Sequence, residues 1–252
     1  MKTLKILAIG NSFSEDATRY LHQLASAASI HTKIVNLFIG DCPLERHWKN
    51  IETGEAAYSY HLNGIITERK VSIDEVLAEE DWDIITTQQA SGDSGWMNTY
   101  EPFLGLILAH IKEKAPNAKL YMQETWAYEI DSTHGSFMRY NRNQQEMYAK
   151  LHDCYTQRAA KYALELIPSG SVIQKVRTLP EFHVPDGGLS LCRDGFHMSY
   201  GYGRYLLACI WLKKLTGISL KNISYVPESP VLKSTPDENL LTILREVTDF
   251  WV

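Results

Sequence analysis

The sequence predicts an α/β protein in which a parallel β-sheet is covered by helices on both faces. Short apolar segments alternate with segments of helical periodicity along the 252 residues, which is the order expected of βαβ units. The apolar segments are nearly continuous rather than alternating, as in strands buried on both sides. No internal repeat or low-complexity segment interrupts this order, so residues 1–252 are predicted to form a single domain.

Ten elements are predicted, five short apolar strands, of which the first two contain β-branched residues, and five helices. The predicted strands are residues 4–9, 34–39, 83–88, 119–123 and 164–167. The predicted helices are residues 16–28, 102–115, 139–163, 203–216 and 236–250. Gly217 is a typical helix end, and Thr235 with Pro236 is a typical cap and first helical residue.

Composition narrows the possible functions. The formal net charge is −5 and basic residues form no run, so no nucleic-acid partner is expected. No membrane partner is expected either, because no segment approaches the roughly 20 apolar residues of a bilayer span. The apolar N-terminus fits a first strand better than a signal peptide, which predicts a cytoplasmic protein. If an export signal has been removed ahead of it, the protein is expected in the periplasm or outside the cell. Oligomeric state is left open.

The carboxyl ends of the predicted strands are where a site is expected, because open parallel sheets bind their ligands there. Four polar segments follow these strands. They are GNS at residues 10–12, GDC at residues 40–42, QQAS at residues 88–91 and ETW at residues 124–126.

Ser12 has three interpretations. Ser12 with Glu15 matches the capping-box pattern, which makes Ser12 the cap of the following helix. A polar loop that enters a helix also suits a phosphate group, although this loop is neither a P-loop nor a dinucleotide-binding turn. In the third interpretation Ser12 is a nucleophile, which requires an imidazole base and an acid that orients it.

One of the nine histidines has the neighbour that such a base needs. His197 follows Asp194 by three residues, in a glycine-containing turn just before a strongly apolar helix. In such a turn the carboxylate can bind one ring nitrogen and leave the other free. A D-x-x-H pattern also arises when an Asp at a helix N-terminus has a chance histidine nearby.

GNS after the first strand, together with D-x-x-H before the last core helix, resembles the SGNH (GDSL-like) hydrolases. The resemblance extends from Gly10 to about Gly217. It is closest to a branch that carries GNSFS in place of GDSL, with mostly unassigned functions. It implies a flavodoxin-like three-layer α/β/α sandwich around a central parallel sheet of about five strands. It also implies that Ser12 is the nucleophile, His197 the base and Asp194 the orienting acid.

The resemblance further implies an oxyanion hole with three donors. Two of them correspond to the backbone N–H groups of Ser12 and Gly40. The third donor of the family is an Asn side chain in a G-x-N-D motif, whereas this sequence has QQASGD at residues 88–93. A glutamine amide offers the same N–H donor on a longer side chain, so Gln89 is the first expectation and Gln88 the second.

Three side chains near the strand ends are candidate substrate contacts. Trp126 and Tyr128 follow the fourth predicted strand, and their rings suit stacking on a sugar, although a place in the core suits Trp126 equally. His47 follows the second strand and is either a substrate contact or a structural or surface residue. No metal is expected, because His183 and Asp186 lack further ligands at suitable spacing. No cofactor motif occurs, and the four cysteines are expected to be buried thiols.

These features predict a serine esterase that forms an acyl-enzyme on Ser12, with an O-acylated, preferably O-acetylated, carbohydrate as substrate. Two alternatives stay open. One is a non-catalytic glycan-binding protein with a degenerate esterase site, which the altered third donor favours. The other is a flavodoxin-like binder of a phosphate-bearing ligand at residues 11–14, in which D-x-x-H has no role. Short contact between Ser12 and His197 would favour the esterase over the phosphate binder.

Overall fold

Seven strands form one central sheet in the computed structural model, which describes residues 2–232 and 234–252. In chain order they are β1 (Leu4–Gly10), β2 (Thr32–Phe38), β3 (Tyr58–Leu62), β4 (Ile65–Val71), β5 (Ile84–Thr87), β6 (Lys119–Gln123) and β7 (Glu165–Ile167). Their spatial order is β4-β3-β2-β1-β5-β6-β7. The nucleophile candidate therefore follows a central strand.

Five of these strands run parallel, namely β2, β1, β5, β6 and β7. They confirm the predicted parallel sheet of about five strands. The hairpin β3–β4 extends the sheet beyond β2 and was not predicted. Strand β3 pairs antiparallel with β2, and β4 pairs antiparallel with β3. The tight turn of the hairpin uses Asn63 and Gly64, both with positive φ, which is the backbone that suits the twist of a hairpin. A Cβ on Gly64 would lie 2.2 Å from the carbonyl oxygen of Arg19, so only glycine fits there.

Helices cover both faces of the sheet. In the described part of the chain they are α1 (Ser12–Thr18), α2 (Leu21–Ala27), α3 (Leu44–Thr53), α4 (Ile73–Leu77), α5 (Phe103–Lys114), α6 (Gln144–Tyr162), α7 (Ser169–Val176), α8 (Tyr202–Thr216) and α9 (Glu238–Trp251). Helices α1, α2, α7 and α9 contact α8, while α3, α4 and α5 contact one another. The α/β/α layers agree with the predicted fold class.

The predicted helix over residues 16–28 is two short helices, α1 and α2, separated at Arg19 and Tyr20. Both of these residues make tertiary contacts. The Arg19 guanidinium donates to the carbonyl oxygen of Gly64, and the Tyr20 hydroxyl donates to that of Tyr200 at 2.7 Å. The same apolar stripe is compatible with one continuous helix and with two short helices, so hydrophobic periodicity alone does not predict the break.

Two other helix boundaries differ from the prediction. The segment predicted as a helix over residues 139–163 begins with a 3-10 turn, Gly135–Tyr140, before α6. The last helix is capped by Asp237, whose side chain accepts the N–H of Asn239 at 2.8 Å. Thr235 and Pro236 therefore precede α9 and are not its cap and first residue. A helix cap is set by which side chain reaches a free N–H, and Asp237 is the nearer one.

The buried interior includes the last five residues of β1 and most of α8. Helix α8 is buried over a run from Gly203 to Leu212, because it packs against helices as well as the sheet. All four cysteines are free thiols in buried positions, as predicted. Among the described residues, no helix combines the length and apolarity that crossing a bilayer requires.

Candidate active site

Ser12 lies immediately beyond β1, as the first residue of α1. The capping role belongs to Asn11, whose side chain accepts the N–H of Phe13 at 3.0 Å. Ser14 adds a hydrogen bond from its Oγ to the carbonyl oxygen of Asn11 at 2.8 Å. The Ser12 hydroxyl takes no part in this cap, so the capping-box interpretation is wrong for Ser12.

Asp194 and His197 share one tight turn. The carboxylate atom Oδ1 of Asp194 accepts the backbone N–H of His197 at 2.8 Å and that of Phe196 at 3.2 Å. Its other oxygen, Oδ2, lies 2.8 Å from Nδ1 of His197. Gly195 has φ +84° in this turn, and a Cβ there would lie 2.9 Å from Cα of Ser132. The glycine that the sequence places in D-x-x-H is therefore required by the backbone.

The second ring nitrogen of His197 faces Ser12. His197 Nε2 lies 2.8 Å from Ser12 Oγ, across a separation of 185 residues. The three side chains thus form a linear chain in which the imidazole bridges a hydroxyl and a carboxylate. With Nδ1–H donated to Asp194, the neutral ring leaves Nε2 as an acceptor for the serine proton.

Hydrogen bonding keeps Asp194 ionised. Burial by itself raises the pKa of this carboxyl, but hydrogen bonds from the His197 side chain and backbone outweigh it and hold the pKa below its ordinary value. The carboxylate is therefore charged throughout the neutral range.

Asp16 links α1 to the turn of residues 194–197, which we call the histidine turn. Its carboxylate is fully buried and accepts the N–H of Met198, the residue after the histidine, at 2.8 Å. Nε of Arg204 donates to it at 2.7 Å, and Nη1 of Arg193 donates at 3.0 Å. Because α1 carries Ser12, this buried ion cluster holds the serine and the histidine in mutual register.

Two backbone N–H groups at the site are unpaired. Within the described chain, neither the N–H of Ser12 nor that of Gly40 donates to a protein acceptor. Gly40 follows β2, and a Cβ there would meet no atom within 4 Å, so the space beside it is open. These groups stand where the sequence predicts two oxyanion donors.

The two glutamines do not point at Ser12. Gln89 is fully buried, and its amide nitrogen donates to the carbonyl oxygen and hydroxyl of Thr99 at 2.9 and 3.0 Å. Its amide oxygen accepts the N–H of Leu44 at 3.0 Å. The amide nitrogen of Gln88 donates to the side-chain oxygen of Asn11 at 2.9 Å. Both glutamines are buried and neither lines the cleft beside Ser12, so the expectation that either reaches an oxyanion is wrong.

The three predicted substrate contacts are also internal. Trp126 is fully buried, stacks on Phe13 with ring centroids 4.0 Å apart and donates from Nε1 to the carbonyl oxygen of Phe196. It supports the site from below, which is the core alternative. Tyr128 is buried behind Ser91, with the two oxygens 2.9 Å apart.

His47 is the third. It is fully buried, and its Nδ1 lies 2.8 Å from the hydroxyl of Tyr58. Burial lowers the pKa of His47 to about 3, so this histidine is a neutral structural residue rather than a substrate contact.

An open cleft of about 350 Å³ gives access to the serine. It is lined by Asn11, Ser12, Phe13, Phe38, Gly40, Asp41, Ser91, His134, Phe196 and His197. A larger cavity of about 580 Å³ beside Arg19 and Tyr225 contains no serine–histidine pair, so the chemistry points to the smaller cleft.

Three of the lining side chains were missed by sequence reasoning, namely Phe38, His134 and Phe196. Phe38 lies two residues before Gly40 and Phe196 directly precedes His197, so nearness along the chain to a predicted site residue was an available signal. His134 had no such signal, because it lies in a long loop after β6. Among the described residues, no group of three or more His, Cys, Asp or Glu side chains is arranged to hold a metal ion.

The fold and this arrangement define the class, an SGNH-type hydrolase fold. A candidate SGNH hydrolase from Slackia heliotrinireducens is 17% identical, with a TM-score of 0.56 over 85% of this chain and 100% of its own. A catalytic mutant of an acetylxylan esterase from Geobacillus stearothermophilus is 14% identical, with a TM-score of 0.56 over 84% and 94%. At these identities the likeness shows the fold.

The chain belongs to the DUF4886 family, a domain of unknown function, whose model matches residues 5–238. A DUF4886 family protein from Bacteroides uniformis ATCC 8492 is 36% identical, with a TM-score of 0.88 over 99% of this chain and 94% of its own. No curated protein sequence matches the chain.

Proposed function

We propose that the protein is a serine esterase that hydrolyses O-acyl esters, with O-acetylated carbohydrates as its substrates. The observation that carries the proposal is the continuous hydrogen-bond chain from Ser12 Oγ through His197 to Asp194, with both links at 2.8 Å. A general base must lie within about 2.6–3.2 Å of the proton that it removes, and this geometry meets that requirement.

In the proposed reaction, His197 Nε2 takes the proton of Ser12 as Oγ attacks the ester carbonyl. The carbonyl carbon becomes tetrahedral, its oxygen becomes negative, and Asp194 stabilises the imidazolium. The C–O bond to the alcohol then breaks, and the alcohol leaves with the proton from Nε2. Water, deprotonated by the same nitrogen, hydrolyses the acyl-serine and restores Ser12. Protein groups and water supply every proton.

Three donors are proposed for the oxyanion. The N–H groups of Ser12 and Gly40 are the first two, and both lack a protein acceptor in the described chain. The hydroxyl of Ser91 is the proposed third donor. Ser91 lines the cleft and lies in the segment that corresponds to the G-x-N-D motif of the SGNH hydrolases, where the Asn is the donor. Tyr128 behind it is able to donate to Ser91 Oγ, which leaves the Ser91 proton free to point into the cleft.

The cleft supports a small acyl group and a compact alcohol. About 350 Å³ lies at the lower end of the usual range for ligand pockets, which suits an acetyl group with one sugar ring better than a long acyl chain. One structure of the same fold is named as an acetylxylan esterase. A phosphate-binding function is disfavoured, because Asp41 is the charged side chain at the mouth of the cleft and the nearby Arg193 and Arg204 are bound to Asp16.

The direct test is hydrolysis of p-nitrophenyl acetate and of a panel of acetylated sugars by wild-type protein and three variants. Ser12→Ala is expected to lower kcat/KM by about 10⁴-fold or more, because the nucleophile is lost. Ser91→Ala is expected to lower kcat by about 10²-fold, the usual effect of losing one oxyanion donor. Ser171→Ala is the matched control, since Ser171 is also hydrogen-bonded to a histidine but lies outside the cleft.

Equal activity of the wild type and Ser12→Ala would rule out Ser12 as the nucleophile. Binding of an acetylated sugar without any turnover by the wild type would instead favour the glycan-binding alternative. An unchanged rate for Ser91→Ala would remove Ser91 from the oxyanion hole and leave the remaining assignment intact.

A further inference from the structure

The tautomer of neutral His134 is set by a hydrogen bond. Its Nδ1 accepts the backbone N–H of Ser136 at 3.2 Å, so the neutral ring carries its hydrogen on Nε2. Edge contacts hold the ring in place, with centroids 4.8 Å from Tyr128 and 4.5 Å from Phe196. No described protein group accepts from Nε2, although His134 lines the same cleft as Ser12. The cleft therefore has a fixed hydrogen-bond donor outside the Ser–His–Asp chain.

Asp41 offers the complementary acceptor. Its side chain is exposed at the cleft, and the described residues provide it with neither an ion pair nor a hydrogen bond. The backbone at Asp41 has φ +49°, a left-handed conformation that Asp and Asn tolerate better than most residues. A free carboxylate at this place accepts hydrogen bonds from hydroxyl groups and repels anionic substrates.

Apolar faces complete the lining. Phe38 and Phe196 lie along the cleft, and Phe38 is backed by His61 with ring centroids 5.4 Å apart. A sugar ring presents hydroxyl groups at its rim and C–H groups on its faces, so it needs a donor, an acceptor and an aromatic surface. All three are present in this one cleft.

We propose that His134 and Asp41 bind free hydroxyl groups of the alcohol part of the substrate and select a partly acylated carbohydrate. This inference rests on the proposed esterase function, because it assigns the alcohol side of the same site. His134 donates through Nε2 to a sugar oxygen, and Asp41 accepts from a neighbouring hydroxyl. Neither residue takes part in the bond-making steps at Ser12.

The experiment compares p-nitrophenyl acetate with a monoacetylated monosaccharide, one ester whose leaving group lacks free hydroxyls and one whose leaving group has several. For each protein the informative quantity is the ratio of the two kcat/KM values. The ratio is taken as kcat/KM for the acetylated sugar divided by kcat/KM for the aryl ester. Asp41→Asn and His134→Phe are each expected to lower this ratio about tenfold, which is the effect of one lost hydrogen bond to a charged or buried partner. Asp41→Asn keeps the size of the side chain and its tolerance of the left-handed backbone. His31→Gln, an exposed histidine before β2, is the control and keeps the wild-type ratio.

An unchanged ratio in both variants would overturn the inference, as would a wild-type enzyme that cleaves the aryl ester but no monoacetylated sugar. The first result leaves the proposed function standing, and the second leaves the assignment of Ser12 as an esterase nucleophile standing without its carbohydrate substrate. If the wild type cleaves neither ester, the esterase proposal fails, and binding then decides the inference. Calorimetry measures the Kd of the same sugar for the single variant Ser12→Ala and for the double variant that also carries Asp41→Asn. The Kd of the single variant is expected to be about tenfold lower. Equal Kd values, or no binding to either protein, would overturn it.

Discussion

Two clusters in the described part of the chain combine a serine, a histidine and a carboxylate, and one of these two has the geometry of a catalytic triad. The first is Ser12, His197 and Asp194 beyond β1. The second lies beyond β6, where Glu124 meets His152 of α6 and Ser171 of α7. We refer to the second as the Glu124 cluster. Both stand at the carboxyl edge of the sheet, so the composition and place of the residues do not distinguish them.

The two clusters differ in which side chain is central. In the first, the imidazole is central and its two nitrogens face different partners, 2.8 Å from each. In the Glu124 cluster the carboxylate is central. It lies 2.7 Å from Nδ1 of His152 and accepts the N–H of Ser171 at 2.7 Å and its hydroxyl at 3.0 Å.

This difference decides the chemistry. Ser171 Oγ lies 3.3 Å from the same Nδ1 of His152 that faces Glu124. A nitrogen that donates its proton to Glu124 has no lone pair for the proton of Ser171. The Glu124 cluster therefore fastens α6 and α7 to the end of β6, whereas the first cluster leaves a base free beside a hydroxyl. Connectivity, rather than residue type, separates the proposed nucleophile Ser12 from Ser171.

The largest expected effect comes from removing the carboxylate charge in each cluster. Asp194→Asn is expected to lower kcat by about 10³-fold, because the amide neither fixes the required tautomer of His197 nor stabilises its charged form. Glu124→Gln is expected to keep kcat within about twofold while lowering the free energy of unfolding by about 2 kcal/mol, since hydrogen bonds to a charged buried group are lost. Ester hydrolysis and chemical denaturation of both variants provide the measurement. Comparable losses of kcat in the two variants would contradict the distinction between the clusters.

A smaller effect is expected from the contacts that hold the first cluster together. Asp16→Asn leaves the guanidinium groups of Arg193 and Arg204 without their buried partner, which is expected to lower the free energy of unfolding by about 3 kcal/mol. It is also expected to lower kcat about tenfold at temperatures where the protein is folded, with little change in KM, because the histidine turn loses its register with α1.

The matched control for that variant is Glu15→Gln. Glu15 is the adjacent acid, and it lies 4.0 Å from Nη2 of Arg204 without contacting the histidine turn. Reduced stability of Asp16→Asn with an unchanged kcat would show that Asp16 supports the fold but does not position His197.

The smallest effect concerns the pH dependence of the Glu124 cluster. The hydrogen bond to Glu124 raises the pKa of His152 above its ordinary value. The ion pair is therefore fully stabilising below about pH 6.5, the ordinary histidine pKa, and its contribution is lost as the pH rises through the raised value. Because His152 is half exposed, we expect a change in Tm of only about 1–2 °C.

This pH effect is measured by thermal unfolding of wild type and His152→Gln at a series of pH values. The variant is expected to lack the part of the Tm decrease that the wild type shows just above pH 6.5. Parallel curves for the two proteins would indicate that His152 carries no charge in the folded state at these pH values.

The sequence was informative where a local pattern carries the function. Ser12 follows a recognisable strand, and Asp194 with His197 lie three residues apart around a necessary glycine, so the candidates were available without coordinates. The five parallel strands were predictable from continuous apolar segments for the same reason. The direction of the Gln89 amide was not, because it depends on Leu44 and Thr99, which only folding brings near.

The predicted substrate contacts are wrong because a sequence does not show how deeply a side chain is buried. Trp126 and Tyr128 lie behind the residues that line the cleft, against Phe13 and Ser91, and His47 is paired with Tyr58 in the interior. A sequence gives the strand end without the depth of the side chain. His134 was missed for the opposite reason, because a loop residue far from any motif reaches the cleft through tertiary structure alone.

The separation of Ser12 from His197 along the chain has a consequence for synthesis. The ribosome makes β1 and Ser12 first, and the histidine turn follows only after 185 further residues. The Glu124 cluster spans just 47 residues and is complete once Ser171 has emerged. A nascent chain therefore carries an unactivated serine until those 185 residues have been added. Under the esterase proposal, hydrolytic activity begins only when the turn of residues 194–197 and the following helix α8 have packed against α1, which carries Ser12.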